Sequence, residues 1–283
     1  MRKISRPTHD ANEVFELCVN SISDMSLRER LLNIGPKIAH GYTEYDDFAT
    51  ATQLHAVPQI LGKNDHIAIG EVTKGELKGL YTSHMVPDGK PARRIYDELR
   101  ALAQKCPLCG IGQVKTLDHY LPKSKYPQYS VLPINLVPAC RDCNTEKLAN
   151  TTEEAHNQTI HPYFDGAHFF TDRWVMAEIQ QTSPVSVVFY SEPPASWDDI
   201  SKLRAAAHLS SYKLTDRFSI EVATEISSLQ YILTEAPDSH TRRDLLLTRF
   251  EAYQKISKNS WQTALHHALS DSEWYCDVGY GLS

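Results

Sequence analysis

The sequence predicts an α+β protein, mostly helical, in which a small β-β-α core braced by cysteines is flanked by N-terminal helices and a C-terminal helical region. Three observations predict it. Two Cys-x-x-Cys pairs, Cys106/Cys109 and Cys140/Cys143, bracket the 30 residues 110 to 139. Short strand-like runs lie between and just after the pairs. Apolar residues spaced by three and four fill much of the remainder. The implied segments are 1–91, 92–165 and 166–283.

In chain order, NEVFELCVNSI and LRERLLNI carry broken helical patterns, and the aromatic-dotted stretch around YTEYDDFATA has no assignable period. A helix is expected from Ala92 to Gln104, with Ile95, Leu99 and Leu102 on one face. VKTLDHY reads as a short strand, PINLV as its returning partner and DCNTEKLAN as the start of a helix. RWVMAEIQ and VSVVFYS read as two further strands across QTSP. Helical spacing then returns in ISKLRAAAHL, in Val222/Ile226/Leu229/Leu233, in Leu246/Phe250/Tyr253 and from Trp261 to Leu269. These stripes are core, with no catalytic role.

At 283 residues, 41% hydrophobic and 23% charged, the chain can bury a sizeable core. It has no run of eighteen apolar residues, and the opening MRKISRPTHDANEVF has no apolar stretch behind its basic start, so no membrane partner and a cytoplasmic location are expected. Cysteines stay reduced there, which favours metal ligation over disulfides for the paired four and leaves Cys18 and Cys276 alone. A net charge of −6 argues against coating nucleic acid by bulk electrostatics. From Arg93 to Lys147, however, nine basic residues (Arg93, Arg94, Arg100, Lys105, Lys115, Lys123, Lys125, Arg141, Lys147) face five acidic ones (Asp97, Glu98, Asp118, Asp142, Glu146).

Each cysteine pair suits a tight knuckle placing two thiolates on tetrahedral Zn2+, with Gly110 supplying backbone freedom after the first. Four thiolates leave no open coordination position, so the expected zinc is structural and contributes about 10 kcal/mol to folding. A clamp of this kind also serves binding modules without activity.

The order Asp118-His119, Leu121-Pro122-Lys123-Ser124, Asn135-Leu136, Cys140, Cys143-Asn144 and Lys147 resembles the HNH (ββα-metal) nuclease signature in its zinc-bound form. The resemblance implies an endonuclease that hydrolyses phosphodiester bonds; DNA is the favoured substrate, and the motif itself fits either polymer. His119 would be the general base. Asp118, on the opposite side of the same strand end, and Asn144 would be oxygen ligands of one catalytic Mg2+ or Mn2+. Asn135 would tie the strands together. Lys147, three residues after Asn144, is either a phosphate contact or a solvated lysine. Some family members add a histidine a few residues past the Asn144 position, where Lys147 and Leu148 stand here. Downstream, His161 is structural, a phosphate contact or an assistant at the site.

A wider similarity, from YDELRALAQKCPLC through HPYFD to SWQTALHHALSDSEWYC, points to HNH subunits of bacterial anti-phage systems of the Septu or retron-associated type, which work beside an ATPase. No Gly-x-x-x-x-Gly-Lys-Ser/Thr loop is present, so nucleotide-driven control implies an ATPase partner. The C-terminal helices then either dock that partner or complete the fold. Alternatives are an HNH toxin cutting RNA such as tRNA, and a non-enzymatic zinc-binding recruitment module.

Overall fold

The computed structural model describes residues 1–147 and 153–282. It is a mixed α+β fold, 55% helical with small sheets. The chain divides into two compact units, Lys3–Asp165 and Gly166–Ser283, the second including Met1 and Arg2.

The first unit opens with α1 (Ala11–Asn20), α2 (Met25–Asn33) and α3 (Gly35–Thr50). Asp10 and Asp24 start the first two, each accepting two backbone N–H groups that no earlier carbonyl can reach. The stretch without a readable period is α3, whose buried face is Ile38, Tyr42, Tyr45 and Ala49. Tyrosines widen that stripe, and the Gly-Pro start hides its beginning. A two-stranded ribbon of β1 (Ile67–Ile69) and β2 (Val72–Thr73) leads into α4 (Lys74–Gly79), which continues as a π-helical turn over Leu80–Met85. Thr73 and Glu76 form a capping box on α4. The Arg30 guanidinium grips the Glu76 carboxylate with both nitrogens, at 2.6 and 3.0 Å, and so fastens α2 to α4.

Helix α5 (Arg93–Ala101) buries Ile95, Tyr96 and Leu99. It ends three residues short of Gln104 because the chain there is committed elsewhere. The Gln104 carbonyl accepts from Val114 N–H and the Cys106 N–H donates to Gly112, leaving Leu102 as an exposed cap. Strands β3 (Thr116–His119) and β4 (Leu136–Ala139) pair antiparallel from Thr116↔Ala139 to His119↔Leu136. The returning strand starts later than PINLV, because Pro133–Asn135 closes a 3-10 turn first. Helix α6 follows at once, Arg141–Lys147; the Leu148–Asn150 end of the expected helix lies outside the described residues.

The second unit holds α7 (His168–Thr171), an antiparallel hairpin of β5 (Val175–Gln180) and β6 (Ser186–Ser191), and helices α8 (Asp199–Ser211), α9 (Leu214–Thr234), α10 (Ser239–Ile256), α11 (Trp261–Asp271) and α12 (Glu273–Asp277). The α9 stripe Val222, Ile226, Leu229 and Leu233 is buried, as its spacing requires. Asn259 joins this unit's helices to its sheet, accepting from the N–H groups of Trp174 and Val175 and donating to the carbonyls of Phe169 and Asp172. Among the described residues no helix is long and apolar enough to cross a membrane.

Candidate functional site

The knuckles form where the backbone turns back on itself. Gly110 takes a positive φ of 75° and its N–H donates to the Cys106 carbonyl. Gly112 packs so closely that a Cβ there would stand 2.5 Å from the Cys140 Cβ, a space only glycine leaves. The Cys143 N–H donates to the Cys140 Sγ at 3.4 Å as α6 begins. All four Sγ atoms are buried and lie within 4.8 Å of one another, with Cys109 and Cys140 at 3.8 Å. That separation matches the ~3.8 Å edge of a tetrahedron with Zn–S bonds of about 2.3 Å. Among the described residues this is the one group of three or more His, Cys, Asp or Glu side chains able to hold a metal ion. Hydrogen bonding within the cluster lowers the Cys109 and Cys140 thiols and raises those of Cys106 and Cys143. The donor set fits a structural zinc.

Beside β3 lies a cavity of about 400 Å3 whose lining includes Lys78, Tyr81, Asp118, His119, Lys123 and Asn144. Three of the five residues singled out by the motif, Asp118, His119 and Asn144, thus share one cavity. Asn144 is carried there by the second knuckle, its N–H donating to the Cys140 carbonyl.

The last residue of β3, His119, is 8% exposed. Its Nε2–H donates to the Ser130 carbonyl at 2.8 Å, which fixes the tautomer and, among the described residues, leaves the Nδ1 lone pair unused. The Tyr81 ring stands edge-on at 4.4 Å. Burial, with the Lys123 charge adding to it, pushes the imidazole down to about 3, so it is neutral near pH 7. Ser130 is itself anchored, its hydroxyl donating to the Leu77 carbonyl at 2.6 Å.

Asn135 uses its whole hydrogen-bonding capacity. Its amide donates to the carbonyls of Leu121 and Tyr129, both at 3.1 Å, while its Oδ1 accepts from Leu121 N–H at 2.7 Å and Tyr45 O–H at 3.1 Å. It therefore ties the loop between β3 and β4 to both its ends and to α3, away from the cavity.

Neither sequence reading of Lys147 describes where it lies. It is 5% exposed and absent from the cavity lining; its ammonium donates to the Tyr120 carbonyl at 2.6 Å and the His119 carbonyl at 3.4 Å, with Asp118 Oδ2 at 3.5 Å. It also lies 4.4 Å over the Tyr120 ring. Burial lowers the Lys147 ammonium and raises the Asp118 carboxyl, and each partly offsets the other. Its long stem lets a residue on the Asn144 side of α6 reach back under β3. His161 is likewise buried, its Nδ1 accepting from Tyr163 N–H and its ring 4.1 Å from that of Tyr120.

Lys78 and Tyr81 were not visible as site residues. The one signal available was Thr73-Lys74-Gly75-Glu76, a capping-box pattern that marks a helix start but not where the helix packs.

No family model and no solved structure matches the chain. Over 291 aligned residues, covering 96% of this chain and 98% of the relative, it is 31% identical to Protein ea31 of Escherichia phage lambda. Likeness of that degree over nearly the full length of both proteins shows that the chain belongs to the family of Protein ea31.

Proposed function

We propose that this protein is a metal-dependent endonuclease of the HNH type that hydrolyses phosphodiester bonds in DNA. The observation that carries the reading is His119: a neutral imidazole with Nε2–H tied to the Ser130 carbonyl and Nδ1 left as acceptor, lining one cavity with Asp118 and Asn144. An imidazole so held can take a proton from water. The new hydroxide oxygen bonds to phosphorus, one bridging P–O bond breaks, and the departing oxygen takes up a proton.

Asp118 and Asn144 are an oxygen donor pair of the type hard cations prefer, and they would hold one Mg2+ or Mn2+. A bound cation there would supply charge stabilisation to phosphate and leaving oxygen. The chain's own contribution is positional. Asn135 shapes the loop, Ser130 orients the imidazole, and Lys147 compensates the buried carboxylate from behind. The bacterial anti-phage resemblance extends the proposal to an ATPase partner supplied by another chain.

Incubating the purified protein, with and without the product of its genomic neighbour, with plasmid DNA and total RNA in Mg2+ or Mn2+ tests this. DNA is expected to be nicked or cut, and His119→Ala to abolish cutting while keeping its zinc. Unchanged cutting by a pure, folded variant overturns the assignment, and RNA cut with plasmid spared moves the substrate to RNA. If wild type cuts neither polymer and only Cys140→Ala has any effect, the non-enzymatic zinc module is the better description.

A further inference from the structure

We propose that Lys78 and Lys123 together form a phosphate-binding subsite on one wall of the His119 cavity, which takes a backbone phosphate of the nucleic-acid substrate. The inference rests on the nuclease reading and adds to it a pair of positioning residues, one of them from α4, far outside the cysteine-bracketed motif.

Both lysines line the cavity, Lys78 from α4 and Lys123 from the loop after β3. The Lys123 ammonium stands 4.5 Å over the centroid of the Tyr81 ring, a contact that holds a cation in place without neutralising it. Lys78 donates to the uncharged Asn64 Oδ1 at 2.9 Å, which occupies one of its three N–H groups. Among the described residues neither has a carboxylate within ion-pair distance. Arg30, by contrast, is paired with Glu76, and Arg93 with Asp88 and Asp97. Asp118, the carboxylate in the same cavity, is already engaged by Lys147.

Burial and the neighbouring Lys78 charge both push the Lys123 ammonium down, so the two positive groups sense one another. Two like charges on the wall of a part-enclosed cavity whose carboxylate, Asp118, is paired with Lys147 are stabilised by an anion from outside. Phosphate is the anion the proposed substrate brings, and an ammonium binds it as a point charge. The Arg30–Glu76 clamp on α4 and the Tyr81 ring under Lys123 give both lysines a fixed mounting, so binding orders little that is not already ordered.

The test uses the full-length His119→Ala chain, which is not expected to cut, bound to a labelled duplex DNA and to a labelled single-stranded RNA across a salt series. Lys78→Gln and Lys123→Gln are each expected to weaken binding and to flatten the slope of log affinity against log salt by about 0.9 on the duplex and about 0.7 on the single strand. Lys78→Arg and Lys123→Arg are expected to keep most of the slope. Lys255→Gln, on exposed α10, controls for loss of one positive charge at large. Lys78 is only half-buried, so its variant reports even if Lys123→Gln fails to fold; zinc content and thermal unfolding check both. Unchanged slopes in the folded variants, the same change in Lys255→Gln, or no salt-dependent binding of either polymer overturns the subsite. A parent chain that cuts nothing, yet loses slope through these lysines alone, keeps the subsite and removes hydrolysis from the reading.

Discussion

Two halves of the same β-β-α segment are held in different ways. The cysteine frame is compact in sequence and suited to a metal: four Sγ atoms within 4.8 Å, brought together by two knuckles. The cavity beside β3 is dispersed in sequence and held by polar tethers, from Asn135 to its loop, from Ser130 to α4 and from Lys147 to the end of β3. Metal ligation concentrates its stabilisation in one ion, whereas the tethered side distributes it over many bonds, each costly to orphan. Removing the ion should therefore collapse the segment, while removing a tether should damage the cavity and leave the frame.

The largest effect tests the frame. Cys140→Ala, or prolonged chelation of wild type, is expected to remove one zinc per chain and about 10 kcal/mol of folding free energy from the segment. Metal analysis together with thermal unfolding reads it. A metal-free protein with an unchanged unfolding curve would show that the thiols merely pack.

Next comes the tethered side. Asn135→Ala orphans the buried Leu121 N–H and carbonyl and takes one of two partners from the Tyr129 carbonyl, which keeps Leu132 N–H, and from the Tyr45 hydroxyl, which keeps His161 Nε2. At about 1–2 kcal/mol for each of the two orphaned groups, the expected loss is roughly 3 kcal/mol in urea unfolding, with zinc retained. Loss of zinc along with stability would mean that frame and cavity are one cooperative device.

The division also explains what could be read from the residues alone. Spacing of the four cysteines, strand-helix alternation around them and the order Asp118-His119…Asn144 are local, and the structure puts each where its neighbours in sequence carry it. Lys78 and Tyr81 stand some forty residues before His119, on a six-residue helix and a π-helical turn that leave no periodic trace. Their place depends on Arg30 gripping Glu76 and on Ser130 reaching Leu77, contacts between segments 46 and 53 residues apart. The position of Lys147 is illegible for a different reason. Three-residue spacing puts its Cα near the Asn144 face, but where the ammonium ends is set by the Tyr120 and His119 carbonyls, which spacing does not reveal. In the second unit, the α9 stripe was legible because burial there follows helical period and little else.

Lys147 supplies the third test. Lys147→Met keeps most of the stem's volume but leaves Asp118 as a buried carboxylate without its cation, at an expected cost of about 3 kcal/mol. Adding Asp118→Asn should restore part of it, because an amide needs no counter-charge; urea unfolding of the two singles and the double measures the coupling. Strict additivity would show that Lys147 acts through the Tyr120 and His119 carbonyls alone.

The smallest effect concerns the wall that α4 brings to the cavity. Hydrogen bonds from Arg30, then from Thr73, pull the Glu76 carboxyl from its ordinary 4.5 down to about 2. The folded state thus favours the charged form, and the unfolded chain takes up the proton first as pH falls. The stabilisation is complete above about 4.5 and drains away as pH approaches 2. Glu76→Gln should therefore unfold at lower temperature than wild type at neutral pH, with the difference shrinking steadily below pH 4.5. A difference that stays constant down the acid limb would mean that Glu76 acts through the capping box of α4, which an amide partly preserves, and not through its charge on Arg30. In that case the wall bearing Lys78 is set by the helix start, and the grip from α2 adds little to it.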